Sequence, residues 1–404
     1  MKKLSLIILF FCITILSNAQ ESDKNTASFG LGSGLNFSFN EGNYQFGLGG
    51  FIQPAYKNSK VKGQSSDNEF SAKRAYLMLS GTAVKEKVSF LIQTDYSLSE
   101  PLLDAWVAYH PTNKITISVG QKQTFLNNRE MTFREDKLQF TDRSLLSQTL
   151  SRTGREFGLF VESKFGNKFG IVPMVALTSG DGRNSFGADS RDTDLGGLKL
   201  GGRLDLYPLG YFSEGNDGLS ADLAHEQSLK FVIGAAVSQN KGVSNATGEG
   251  HGDFFLYDAN GHNNLPDYSK VYIDLLLKYE GFSFLGEYAN ASASGLNTTF
   301  VDANAAQILA PQQISEYLVI GDSYNFQAGY VTSKGLSFDF RYESSKPEFD
   351  ANLNSLLPDV NSFTFGLTKY FNNNNLKMQA SITSIDNSNT NNQTVGEFLV
   401  QIVF

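Results

Sequence analysis

From near residue 44 to residue 404, hydrophobicity in this chain alternates repeatedly with a period of two. Val88, Phe90, Ile92 and Tyr96 fall on one side of a ribbon whose other side carries Ser89, Gln93 and Asp95. Ile115, Ile117 and Val119 stand against Thr116, Ser118 and Lys122 in the same way, and Leu336, Phe338, Phe340 and Tyr342 against Ser337, Asp339, Arg341 and Glu343. Successive residues of a strand point to opposite faces, so the pattern predicts strands that are apolar on one side only. No stretch of similar length carries a helical period. Alternation predicts sixteen strands, the first eight near 44–57, 69–82, 86–97, 101–110, 114–122, 154–164, 168–178 and 195–207. The other eight fall near 228–239, 268–280, 282–292, 323–332, 335–346, 360–371, 375–386 and 396–404.

The connections alternate too. Short ones near 83–85, 111–113, 165–167 and 372–374 interleave with long ones near 58–68, 123–153, 179–194, 240–267, 293–322 and 347–359. Two break the rule: 98–100 is too short for its side and 208–227 too long. A soluble sandwich has no reason to gather its long loops at one end, whereas an outer-membrane barrel has short periplasmic turns and longer external loops. In hydrocarbon every backbone amide needs a partner within the sheet, so a sheet spans a bilayer only by closing on itself. A secreted soluble protein with one buried sheet face would also alternate, but so many strands in register favour the barrel. The predicted class is all-β, a transmembrane antiparallel β-barrel of about 16 strands over residues 44–404. A ring of that size is wide enough for an aqueous channel. Residues 20–43, rich in Gly and Phe between 28 and 40, are expected as a periplasmic or plug segment.

The start of the chain reads as a secretory signal over residues 1–19: basic Lys2 and Lys3, an apolar run from Leu4 to Leu16, then Ser17-Asn18-Ala19. That run is too short for an ordinary transmembrane helix. Cys12, the single cysteine, lies within it, so the processed chain has no disulfide, thiol nucleophile or thiolate metal site. Losing Lys2 and Lys3 takes the formal net charge from −8 to −10, against a nucleic-acid partner.

The last residues, Phe398, Val400, Ile402 and Phe404, are apolar at every second position and end on an aromatic. This resembles the signature by which outer-membrane barrels are recognised for insertion. Three further stretches narrow the resemblance. Lys73-Arg74-Ala75-Tyr76-Leu77-Met78-Leu79-Ser80-Gly81 resembles the basic, Ser-Gly-ending strand of the phosphate-selective porin O and P family. Asp104-Ala105-Trp106-Val107-Ala108-Tyr109, followed by Val119-Gly120-Gln121-Lys122, is similar to that family's Asp-Ala-aromatic strand and Gly-Gln segment. Thr153-Gly154-Arg155-Glu156-Phe157-Gly158 resembles its entry to the next strand. The resemblance implies a sixteen-stranded outer-membrane porin, usually a homotrimer, whose long third external loop folds inward and narrows the channel.

That loop maps onto 123–153. It carries Arg129, Arg134, Lys137, Arg143 and Arg152 against Glu130, Glu135, Asp136 and Asp142, and with flanking Lys122 and Arg155 its net charge is +3 in an acidic chain. Lys122, Arg129, Arg134, Lys137 and Arg143 are the constriction candidates, and positive charge in a confined space favours anions. The other reading is that these charges pair with one another and pack the loop. Alternation assigns Arg74, Asp95, Asp104, Lys199, Arg203, Asp339 and Arg341 to the lumen, with Lys230, Lys278, Lys377, Glu156, Glu162, Asp205, Asp274, Glu287 and Glu343. Family members known for phosphate selectivity stack arginines down the lumen. Here Tyr76 and Met78 follow Arg74 and the signs are mixed, so no anion ladder and no phosphate selectivity are expected.

Other constellations do not reach chemistry. His110, His225, His251 and His262 form no helical zinc pair. Asp181, Asp189, Asp192 and Asp194 lie in a Gly-rich loop but lack the spacing of a calcium site. No nucleophile elbow or phosphate-cradling loop is present. The expected function is a passive diffusion channel for small hydrophilic solutes with a mild anion preference, without catalytic residues, metal or cofactor. Its expected partners are those solutes or anions, outer-membrane lipid, the barrel-assembly machinery and further copies of itself. The alternative is a barrel-anchored surface binding or adhesion protein using the loops at 240–267 and 293–322.

Overall fold

A computed structural model describes residues 25–183, 197–250 and 252–404. The signal-like segment 1–19 lies outside the described residues, as do His251 and the calcium candidates Asp189, Asp192 and Asp194. Two short strands, β1 (Thr26–Gly30) and β2 (Gly34–Phe39), precede sixteen that form a ring. The first half of the ring is β3 (Tyr44–Val61), β4 (Asp67–Ala83), β5 (Val88–Asp95), β6 (Leu102–Thr112), β7 (Ile115–Gln123), β8 (Arg155–Ser163), β9 (Gly170–Thr178) and β10 (Lys199–Tyr207). The second half is β11 (Lys230–Asn240), β12 (Asp267–Tyr279), β13 (Phe282–Ser294), β14 (Gly321–Val331), β15 (Leu336–Pro347), β16 (Val360–Asn372), β17 (Leu376–Asn387) and β18 (Gln393–Val403).

Each ring strand pairs antiparallel with the next, and β18 returns to β3 from Gln393↔Val61 to Val403↔Phe51, which leaves no open edge along the seam. The predicted strands map one to one onto β3–β18. Val107, Val119, Leu200, Val237, Ile273, Phe338, Phe365 and Ile382 are exposed on the outside, while the alternate positions face inward and are buried. This inverts a soluble protein, because the apolar face is the one left uncovered.

Turn chemistry fixes the register at the short-turn end. Between Tyr279 and Phe282 only Glu280 and Gly281 turn the chain, both at positive φ (47° and 88°), as a tight primed hairpin requires. The long-loop end is different. Loops 241–266, 295–320 and 348–359 contribute Val243, Leu256, Ile314, Leu318, Ile320 and Leu357 to one apolar cluster with the wall residues Tyr268 and Tyr272.

The counting of strands by alternation begins at residue 44 and so misses β1 and β2, which are only five and six residues long. β2 pairs with Tyr44–Leu48, the part of β3 that runs on past the end of β18, and β1 folds back onto β2. A hairpin thus continues the line of β18 along the same edge of β3.

Candidate functional site

Residues 124–154, between β7 and β8, lie inside the ring. Two α-helical turns, Arg129–Thr132 and Leu145–Thr149, shape them, with a 3-10 turn at Glu135–Lys137 between; Leu145–Thr149 is capped by Ser144, whose hydroxyl accepts from the amide of Ser147. A carboxylate ties the turns together: Glu130 Oε2 accepts from the Ser144 amide (2.8 Å) and from the hydroxyls of Ser144 and Ser147 (both 2.6 Å). Buried polar groups are tolerable only when paired in this way.

The wall grips the loop by two devices. The first is a ring of four charges. Arg129 donates to Asp274 (2.6 Å) and Asp205 (2.8 Å), and Arg203 donates to the same two carboxylates at 2.5 and 2.8 Å. The second is a set of wall cations that donate to loop carbonyls, in most cases in addition to an acid. Arg74 reaches Thr141 O (3.2 Å), Arg341 reaches Asp142 O (2.9 Å) and Lys377 reaches Asp136 O (2.8 Å). Arg203 reaches Asn127 O (3.0 Å) and Lys270 reaches Leu150 O (2.7 Å). Strands β4, β10, β12, β15 and β17 therefore hold one loop from around the ring, so the loop crosses the lumen. Its apolar side chains fill the rest of that half: Phe133 and Leu138 pack with Phe212, Val232, Leu276 and Leu285, and Phe125 and Leu126 with Phe160 and Met174.

The net positive charge of the loop is largely spent on these contacts. Lys122 pairs with Glu162 (2.6 Å), Arg129 with the two aspartates, Arg134 with Asp136, Arg143 with Glu135 (2.8 Å) and Arg155 with Asp104 (3.1 Å). Among the described residues only Lys137 and Arg152 of the seven have no ion-pair partner; Arg152 is exposed at the long-loop end and Lys137 is half-buried. Lys122 lies on β7, not on the loop itself.

The inward-facing wall residues are placed where alternation put them, but most do not border open space, because the loop or its neighbours cover them. Asp95 accepts from the amides of Ala75 and Ser97, capping the turn after β5. Asp104 accepts from Gln93, Gln123 N and Arg155. Lys199 sits between Glu156 (2.5 Å) and Glu249 (2.7 Å), and Asp339 takes the amide of Gln139 (2.6 Å). Arg341 alone of the seven lumen candidates borders the polar vestibule at the long-loop end.

That vestibule, about 170 Å³, lies between the loop and the β15–β18 and β3 wall. Lys57, Arg143 and Arg341 face Asp142, Glu343 and Glu397 across it, and Ser362, Thr364, Ser381 and Thr383 supply hydroxyls. At the short-turn end a second space is lined by Arg134, Asp136, Lys137, Glu214, Asn216 and Asn374. Between the two spaces runs a buried layer that sequence reasoning missed. Arg74 donates to Gln53 (2.8 Å), Gln53 to Gln401 (2.6 Å) and Gln401 to Asn374 O (2.6 Å), while Thr141 and Ser381 share a 2.6 Å hydrogen bond. The only signal in the sequence is that Gln53 and Gln401 occupy inward positions on the first and last ring strands.

Charge on the loop is fixed by its surroundings. Burial opposes ionisation of Glu135, but Arg143, Arg155 and Arg74 overcome it and hold the carboxyl well below the usual range. Burial likewise works against Asp142, and Lys73 and Arg74 push it down to about 2. Burial and the neighbouring Arg134 lower the Lys137 ammonium.

No family model matches this chain, and no curated protein does. Among solved structures it is similar to a loop-deletion mutant of OmpT, an outer membrane protein of Vibrio cholerae, with TM-score 0.51, 12% identity, and coverage of 89% of this chain and 99% of that one. The trimer form of in-vitro folded OmpT gives 0.50 and 10%, covering 89% and 99%. A mutant of the Rh. blastica porin gives 0.47 and 13%, covering 89% and 100%, and adds nothing to the fold assignment. The closed ring, the uncovered apolar exterior and the two OmpT structures agree: the chain is an integral outer-membrane β-barrel of sixteen antiparallel strands.

Proposed function

We propose that the protein is a passive diffusion channel for small hydrophilic solutes and carries out no reaction. The reading rests on one observation: a loop clamped across the lumen with a polar vestibule on either side of it. An inward loop narrows a pore that sixteen strands would otherwise leave wide. The constriction falls where residues 138–142 meet Arg74 and Gln379, with Gln53 and Gln401 joined to Arg74 by hydrogen bonds. Its anion preference is mild at most, because Arg129, Arg134, Arg143 and Lys122 face acids; Lys137 is the loop cation that remains to impose it. Membership of the phosphate-selective porin O and P family is supported by the three motifs and by an inward third long loop, but the wall cations serve as loop anchors and form no phosphate ladder. A homotrimer in outer-membrane lipid is proposed with it, the similar Vibrio cholerae protein being described in a trimer form. Phe398, Ile402 and Phe404 face outward at the end of the barrel, open to the assembly machinery.

Loops 241–266 and 295–320 turn inward onto Leu146 and Leu150, which disfavours them as a freely projecting recognition surface. Planar-bilayer recording of the purified protein tests the channel reading: discrete conductance steps with a reversal potential close to zero, or slightly toward chloride, in a KCl gradient are expected. A folded barrel that never conducts would end it.

A further inference from the structure

The connection between β10 and β11, residues 208–229, lies at the end where other turns are two to six residues long, and it does not hang free. Asn216, Ser220, Ala221, Asp222 and Glu226 are buried in it. Lys278, on β12 and fully buried, donates to three of its carbonyls: Asn216 O (2.5 Å), Leu219 O (2.8 Å) and Ala221 O (3.0 Å). The ring of Phe212 lies 5.3 Å from the same ammonium. Asp222 pins the far side, accepting from Gly281 N (2.8 Å) and Glu226 N. This folded segment reaches the inward loop from below. Ser220 Oγ donates to Lys137 O (3.3 Å), a Cβ on Gly218 would stand 3.1 Å from Lys137 Nζ, and Phe212 packs on Phe133 and Leu138.

We propose that residues 208–229 are a second constriction element, a plug entering from the short-turn end. Lys278 is the positioning residue that latches it beneath residues 133–138 of the inward loop. Its effect on flux rests on the channel reading above. An ammonium that satisfies three carbonyls fixes a turn more rigidly than any single side-chain bond, and removing it leaves those carbonyls buried without donors. The plug then loosens, the floor under Leu138 is lost, and the narrow zone widens.

Single-channel recording of the full barrel tests this. Lys278→Met is expected to raise conductance by about twofold or more and to admit larger polyethylene glycols, with the barrel's heat-shift in SDS gels unchanged, while Lys278→Arg stays near wild type. Conductance and size cut-off unchanged in a folded Lys278→Met barrel would overturn the plug while leaving the channel reading intact. Absence of conductance in the wild type would remove both. A second measurement does not depend on that variant. With Lys137→Cys and Gly218→Cys on the otherwise cysteine-free processed chain, a short bis-maleimide is expected to link the two loops. Failure to link them, with both thiols reactive, would also overturn the proposal.

Discussion

Arg129 Nε lies 2.6 Å from Asp274 Oδ1, joining the inward loop to a strand 145 residues further along the chain. The bond closes a ring in which Arg129 and Arg203 alternate with Asp205 and Asp274, so each carboxylate meets two guanidinium groups. Burial works against the charge on Arg129, and Asp274 and Asp205 more than offset it, raising the guanidinium above its usual value. Arg129→Met leaves Asp205 and Asp274 buried with one cation between them. Breaking a buried pair from one side costs about 3–5 kcal/mol. The expected result is a released loop: larger and noisier single-channel currents, with the barrel itself still folded by circular dichroism. Currents identical to wild type would show that the ring does not hold the loop.

Asp142 gives a pH dependence with a definite sign. Its carboxyl titrates at about 2 in the folded loop against an ordinary 3.8, because Lys73 and Arg74 overcome the cost of burial. A depressed acid contributes its stabilisation fully above the ordinary value and loses it as pH falls through the folded one. Glu135, held low by Arg143, acts in the same direction. The contribution of Asp142 is therefore expected to be lost, with a rise in conductance and open-channel noise, between about pH 4 and 2. Asp142→Asn should be noisy already at pH 7. An acid transition between about pH 4 and 2 that Asp142→Asn leaves unchanged would contradict this assignment.

The strands were legible because hydrocarbon imposes a rule on every second residue, and the rule is local. Ser337, Asp339, Arg341 and Glu343 read as one face without knowledge of any partner, and the structure puts them on one. What those side chains touch was not legible. Lys377 meets Asp136 O from 241 residues away and Gln53 meets Gln401 from 348, separations at which no spacing in the sequence carries information. The positive sum over 123–153 misled for the same reason, since the acids that neutralise Arg129 lie on β10 and β12. The overlong connection at 208–227 was visible as an exception, but only its packing against Lys278 shows what it does.

Selectivity should turn on Lys137. Among the described residues no acid pairs with it, and it borders the space at the short-turn end with Arg134 and Asp136. Lys137→Glu reverses a charge in a confined, poorly screened place. The chloride-to-potassium permeability ratio, read from reversal potentials in a KCl gradient, is expected to fall several-fold. Arg134→Gln, which leaves Asp136 uncompensated, should move the ratio the same way. Arg152→Gln, at the exposed far end, should leave it unchanged. If Arg152→Gln has the larger effect, Lys137 does not set the selectivity.

The seam offers a test that does not involve the pore. Gly32 joins β1 to β2 at φ +86°, donates to Val403 O (2.9 Å), and leaves room for the side chain of Asn375, which would stand 2.2 Å from a Cβ added there. Asn375 in turn donates to Leu31 O (3.3 Å), and its own carbonyl accepts from Val403 N (2.8 Å). The turn at 372–375 and the turn at 31–33 thus clasp the end of β18 from both sides. Gly32→Val combines a left-handed backbone costing roughly 1–2 kcal/mol with a clash against Asn375, so the temperature at which the barrel unfolds in SDS should fall by several degrees. Asn375→Ala loses only a half-exposed hydrogen bond and should lower it less. The double variant should be more stable than the sum of the two losses implies, because removing the amide also removes the clash. Simple additivity would mean that Gly32 and Asn375 do not press on one another, and that the hairpin lies beside the seam without closing it.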